Sequence, residues 1–446
     1  MRAERHNLLL AVGILLAVLG SSPVAAQILV QCPGDIDGDA IPDRCLYGVQ
    51  NGGPNAGNCK DGPGQAPGDN PDYDPNVQCM HLSGGDGFAT MADGRVQYIF
   101  SFADMTGIKD GDVANKDGDI SDDVMAAGAL AAAWPAPAIV VDEGKEFYLS
   151  LSNVGMLIRP DLFDPHTVHF HGFPQSSSVF DGLPESGLSI NMGATLTYYY
   201  KLEDPGTYMY HCHVEATEHM QMGMLGNLYV RAAQNGNPFG VCAGGAPCTQ
   251  FAYNDGDGST GYDVEFPLQL GSFDPEFHDA SWFVQPLPFA MMWDTYPMIN
   301  GRGYPDTINP GNLPTPTDFD NCGGSCNGGI ESQVESSLVT ADAGDKILLR
   351  LSNLNITDVH TLSSPSIPMR VVGIDAKELL ADDGLTKLHY TTNSVTMGGG
   401  MSADVILDTA GVDPGEYYLY AANLQYLANN DAPGLGGMMT KIVVNP

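Results

Sequence analysis

Apolar residues in this sequence fall in short runs that alternate with polar ones, and glycine or proline punctuates them throughout. Long stretches of helical periodicity are scarce, so the pattern predicts an all-β protein with many turns. The runs also repeat. "GKEFYLSLSN" from Gly144 returns as "GDKILLRLSN" from Gly344, "SINMG" at Ser189 returns as "SVTMG" at Ser394, and "DPGTYMY" at Asp204 returns as "DPGEYYLY" at Asp413. The pieces keep their order, which predicts two similar β-sandwiches. We place the first at residues 95–233 and the second at 261–446, joined by a linker at 234–260 where "NGNPFGVCAGGAPC" and "NDGDG" break the pattern. Residues 27–94, rich in Gly, Asp, Pro and Cys, read as an irregular N-terminal segment.

The start of the chain is different. "MRAERHNLLLAVGILLAVLGSSPVAAQ" has a basic beginning, an apolar run from Leu8 to Leu19 and small residues before Gln27, the layout of an export signal over residues 1–26. The run is short for a bilayer span, and no later segment is apolar enough for one. A secreted protein is expected, in the periplasm, at the cell surface or outside the cell. With 54 acidic against 18 basic residues the formal charge is -36, which excludes nucleic-acid binding through a basic surface. Such acidity suits solubility, or attraction of cations such as metal ions or a basic redox protein.

Export makes the nine cysteines informative. Cys242 with Cys248 and Cys322 with Cys326 are local pairs, while Cys32, Cys45, Cys59 and Cys79 can pair among themselves in any of three ways. That leaves Cys212, flanked by histidines in "YHCHVEATEHMQMGM". In the N-terminal segment "DIDGDAIPDRC" spaces Asp35, Asp37, Asp39 and Asp43 as an oxygen-lined calcium loop would, with Ala40 where a glycine is usual; a solvated acidic turn is the alternative. The loop resembles the calcium repeats of thrombospondin type 3 over a dozen residues. A second acidic patch, "KDGDVANKDGDISDD", reads as an exposed insertion.

Six of the eleven histidines lie between His166 and His219, in "HTVHFHG" and "HCHVEATEH". Side chains on a strand alternate faces. On strands, His169 and His171 point one way and His166 the other; His211 and His213 share a face while Cys212 opposes them. One side can therefore gather His166 and Cys212, and with them His219 and Met224, with Met220 and Met222 as alternatives to the last. Two imidazoles, a thiolate and a thioether suit copper better than zinc. The opposite side gathers four imidazoles.

On these motifs the chain, from about residue 135 to its end, resembles the multicopper oxidases, whose domains are cupredoxins. The resemblance implies two cupredoxin-like Greek-key sandwiches, a type 1 copper on His166, Cys212, His219 and Met224, and cluster coppers on His169, His171, His211 and His213. Two departures stand out. Five residues, "VEATE", separate His213 from His219 where the family usually has three. The second half also resembles a copper-poor domain: "HTLSSPS" (His360, Ser363, Pro365) stands where the first has "HTVHFHG", and "YAANL" where it has "YHCHV". A complete trinuclear cluster in the family takes eight histidines, and this chain supplies four. His81, His278, His360 and His389 are scattered singles, read as structural or surface residues.

The leading expectation is a laccase-like oxidase passing electrons from a small-molecule or metal-ion reductant to oxygen, its missing imidazoles supplied by another subunit of a homo-oligomer. A copper nitrite-reductase-like enzyme, with His360 or another chain completing a mononuclear site, is one alternative. A non-enzymatic electron carrier or cell-surface structural copper protein is the other.

Overall fold

The structure, a computed structural model, describes residues 28–35, 40–41, 72–173, 177–318, 322 and 324–446. The export signal expected at residues 1–26, three of the four aspartates of the acidic loop (Asp37, Asp39 and Asp43), Cys45 and Cys59 lie outside them. Asp35 accepts a hydrogen bond from the Ala40 amide at 2.9 Å.

Two β-sandwiches make up the fold, and each repeats the other's strand order. In the first, β1 (Val77–Thr90), β2 (Val96–Asp104), β4 (Glu146–Gly155) and β6 (Thr195–Lys201) form one sheet in the order β2-β1-β4-β6. Its partner sheet runs β3-β8-β7-β5, with β3 at Ala136–Asp142, β5 at His169–Phe170, β7 at Gly206–His211 and β8 at Leu225–Arg231. The β1–β4 and β3–β8 pairs are parallel and the others antiparallel. In the second sandwich Tyr296–Ile299, Val264–Phe273, Lys346–Asn353 and Met401–Asp408 repeat the first order, extended by Met369–Ile374. Val339–Asp342, Met439–Asn445, Gly415–Ala421 and His360–Ser363 repeat the second.

β1 falls in the segment that the sequence pattern gives as irregular. Its "SGGDG" stretch resembles a loop, yet Gly84, Gly85 and Gly87 are strand positions where neighbouring groups come too close for a side chain. The segment before it is tied on by the Cys32–Cys79 disulfide and by Ile28, which packs with Val124 and Val154. Both local pairs expected from spacing, Cys242–Cys248 and Cys322–Cys326, are present. The second acidic patch closes on itself, since the Asp123 carboxylate accepts from the amides of Gly111, Val113 and Ala114. No helix among the described residues is long and apolar enough to cross a membrane.

The sandwiches meet through a buried charged network. Arg350, fully buried, donates to Glu265 at 2.9 Å and to Thr207 of β7 at 3.3 Å, and lies 3.5 Å from Asp404. Asp404 also accepts from Thr207 and Tyr253, both at 2.5 Å, and Arg350 covers the ring of Tyr229 on β8. Removing one member of such a cluster strands the others without water, which typically costs about 3–5 kcal/mol. Arg350→Met is therefore expected to lower the unfolding free energy measured by denaturant titration by an amount in that range, and a loss below about 1 kcal/mol would show that the network is incidental.

Candidate metal centre

β5 and β7 pair with His169 opposite His211 and Phe170 opposite Tyr210. The pleat then sorts the donors. Phe170, Tyr210 and Cys212 enter the core between the sheets, while the His169, His171, His211 and His213 rings cluster on the other side.

On the core side His166, Cys212, His219 and Met224 are all fully buried. The Nδ1 atoms of His219 and His166 lie 3.2 and 3.9 Å from Cys212 Sγ, and the three donor atoms fall within 4.8 Å of one another. The Met224 methyl and the His166 ring flank one point beside Gly84. The long "VEATE" spacing is taken up by a helix, Ala216–Met222, which brings His219 back over the sulfur. Gly223 ends the helix, and the Met224 amide donates to the His219 carbonyl at 2.8 Å. Met220 packs in a different cluster. His278, from beyond the linker, braces the helix by reaching the carbonyls of Gln221 and, on β2, Tyr98.

Burial works against the charge on this sulfur, but His219 beside it and hydrogen bonds from both imidazoles hold the thiol well below its usual pKa. For His219 burial is likewise outweighed, by Cys212 and by Asp164, and its pKa is raised to about 10. The Asp164 carboxylate lies 3.8 Å from His219 Nε2.

On the other face His169, His171 and His211 each bring a donor within 4.8 Å of the others, and the His213 ring stands 5.1 Å from that of His169. Three Nδ1 atoms donate to carbonyls: His169 to Asp181 at 2.6 Å, His211 to Cys212 at 2.7 Å and His171 to Gly400 at 3.4 Å. That leaves bare Nε2 lone pairs, and those of His171 and His211 face each other at 3.0 Å. Burial keeps both rings neutral, lowering the His211 pKa to about 3. Opposed lone pairs at this distance form a cradle for a cation.

Known proteins identify the family. A multicopper oxidase family model matches residues 113–235 and a second multicopper oxidase model matches 294–445. The chain belongs to the multicopper oxidase family. It is 34% identical over 106 residues to multicopper oxidase MCE of Talaromyces pinophilus, covering 23% of this chain and 16% of that protein. To Laccase-5 of Arabidopsis thaliana it is 23% identical over 300 residues, 66% of this chain and 41% of the other. It thus spans under half the length of either curated relative. Among solved structures, the blue copper oxidase from Nitrosomonas europaea matches with a TM-score of 0.56 at 22% identity, over 82% of this chain and 86% of that one. The multicopper oxidase mgLAC matches at 0.55 and 19%, over the same shares. Both likenesses establish the cupredoxin-like fold. Membership makes copper the metal of this chain, and the two donor sets fit it: thiolate with imidazoles in one pocket, converging bare imidazoles in the other.

Among the described residues the second sandwich adds no imidazole to the cluster. A cavity of about 630 Å³ in front of His169 and His171 is walled on the far side by Asp375, Gly400 and Ser402. His360, weighed as a third ligand for a mononuclear site, stands instead inside the second sandwich against Tyr426. His81 bonds Ser152, His278 braces the helix, and His389 pairs with Glu378.

Three supporting residues escaped the sequence reading. Asn153 donates to the carbonyls of Asp164 and Ile190, fixing the loop before His166, and its place in the repeated "LSN" was the available signal. Asp164 faces His219, and Gly84 makes room for His166: a Cβ at residue 84 would lie 2.8 Å from the ring. Gly84→Ala is expected to tilt that ring and weaken metal binding in the sulfur pocket at least tenfold while far-ultraviolet circular dichroism stays unchanged. Copper titration followed in the visible band checks this, and an unaltered band and affinity would contradict it.

Proposed function

We propose that this chain is a secreted copper oxidase that collects single electrons from a reductant at the sulfur pocket and delivers them to oxygen at the imidazole face. One observation carries the reading: Cys212 of the first set is bonded in the chain to His211 and His213 of the second, so consecutive residues join two candidate copper sites. The type 1 set is His166, Cys212, His219 and Met224; the oxygen-side set is His169, His171, His211 and His213. Bound copper supplies one-electron exchange at the first and oxygen reduction at the second.

The chain's own groups prepare both. Full burial shields the Cys212 sulfur from oxidants, and Asp164 offsets the charge of His219. Asp181 and Cys212 carbonyls fix the tautomers of His169 and His211 so that Nε2 faces inward. The cavity of about 630 Å³ admits a small molecule to this face. A second copy of the chain completes the imidazole set across it, and the three disulfides among the described residues support an exported location. The absence of imidazoles on the Asp375–Ser402 wall favours the second reading, an electron carrier, if copies do not assemble.

Copper-replete protein should consume oxygen with a phenol, a ferrous salt or a manganous salt as reductant; strong visible absorption with no uptake from any of them would leave the carrier. Cys212→Ser should abolish the thiolate-to-copper absorption while the fold persists, and a surviving band would refute the assignment. His169→Ala with His213→Ala should keep that band but reduce oxygen uptake by at least a hundredfold. Loss of the band in this pair would mean that the two faces are not separate.

A further inference from the structure

The second sandwich holds an imidazole that its surroundings do not explain. His360 is fully buried, and neither ring nitrogen has a hydrogen-bond partner among the described residues. Unpaired buried polar atoms are costly, so this residue needs a reason.

Strand register supplies one. In the first sandwich the ladder pairs His169 with His211; in the second it pairs Ser363 with Tyr420 and Leu362 with Ala421. Superposing the ladders sets Ser363 on His169, Ala421 on Cys212 and His360 on His166. The strings "YHCHV" and "YAANL" are therefore one residue out of step, and Tyr420 takes the place of His211. Hydrogen bonds extend the match. The Cys212 amide donates to Met224 and the Met224 amide to His219; likewise the Ala421 amide donates to Met438 and the Met438 amide to Tyr426. Tyr426 thus occupies the position of His219, and its ring lies 4.7 Å from His360 as that of His219 lies 5.3 Å from His166. Even the outer carboxylate recurs. Asp164, two residues before His166, faces His219, and Asp358, two before His360, hydrogen-bonds Tyr426.

We infer that His360, Ala421, Tyr426 and Met438 form a second mononuclear copper pocket from the same mould, dormant because its sulfur and one of its imidazoles are missing. An imidazole and a thioether remain, both buried, with Ala421 where the first sandwich has its thiolate. The inference rests on the sulfur pocket of the first sandwich being a copper site.

Ala421→Cys with Tyr426→His, made in the full chain and loaded with cupric ion, tests it. Thiolate-to-copper absorption per chain should rise about twofold, with one more copper bound, and adding His360→Ala should remove only the increment. A folded double variant that keeps the parent band without an increment overturns the inference; a parent protein with no band overturns the copper reading of the first sandwich instead. A second measurement does not depend on how the double variant folds. His360→Leu in the native chain should raise the melting temperature by a few degrees, because hydrocarbon replaces a ring with no partners. A lowered melting temperature would show that the imidazole is a structural piece and overturn the inference.

Discussion

One constraint organises this molecule: successive side chains of a strand must leave on opposite sides of the sheet. At residues 211 to 213 that rule sends sulfur inward among aromatic rings and sends the imidazoles to the opposite face, beside the rings of His169 and His171. The environments differ as the chemistry requires. The sulfur is fully buried between two imidazoles that favour its ionised form, whereas on the other face the Nε2 atoms of His171 and His211 converge on each other. A bulge of one residue in β7 would turn the sulfur outward and its two neighbouring imidazoles inward.

Much of this was legible in the sequence because it depends on parity and spacing. "HTVHFHG" and "HCH" encode their own sorting, and the repeated "LSN" and "DPG" pieces announce two copies of one sandwich. What stayed hidden depends on contacts between distant residues. The glycines of β1 look like a turn until His166 and Val154 are seen pressing on them. The helix that carries His219 could not be read from five ordinary residues. The one-residue slip between the halves appears only when hydrogen-bond ladders, rather than matching letters, align the strands. The buried network around Arg350 joins groups up to 197 residues apart, and nothing in the local pattern marks them as neighbours.

The duplicated architecture has been used asymmetrically. Both sandwiches keep the same strand order and the same asparagine, with Asn153 and Asn353 each tying a neighbouring loop through its side chain. Sulfur and imidazole donors line the pocket of the first, where the second has Ala421 and Tyr426. The scaffold tolerates this because it is stabilised by its apolar layers, with Leu362, Met369, Val405 and Ile442 all fully buried in the second sandwich.

His278 gives the halves a mechanical relationship. It belongs to the chain beyond the linker, yet its ring is wedged between an edge strand of the first sandwich and the short helix that positions His219. Phe277 beside it fills the same core as Cys212. A shift of the second half would therefore be transmitted to the geometry around the sulfur, and an excised first half would lose a keystone along with its neighbour. Evolution could discard chemistry from one copy of this sandwich, but it could no longer discard the copy.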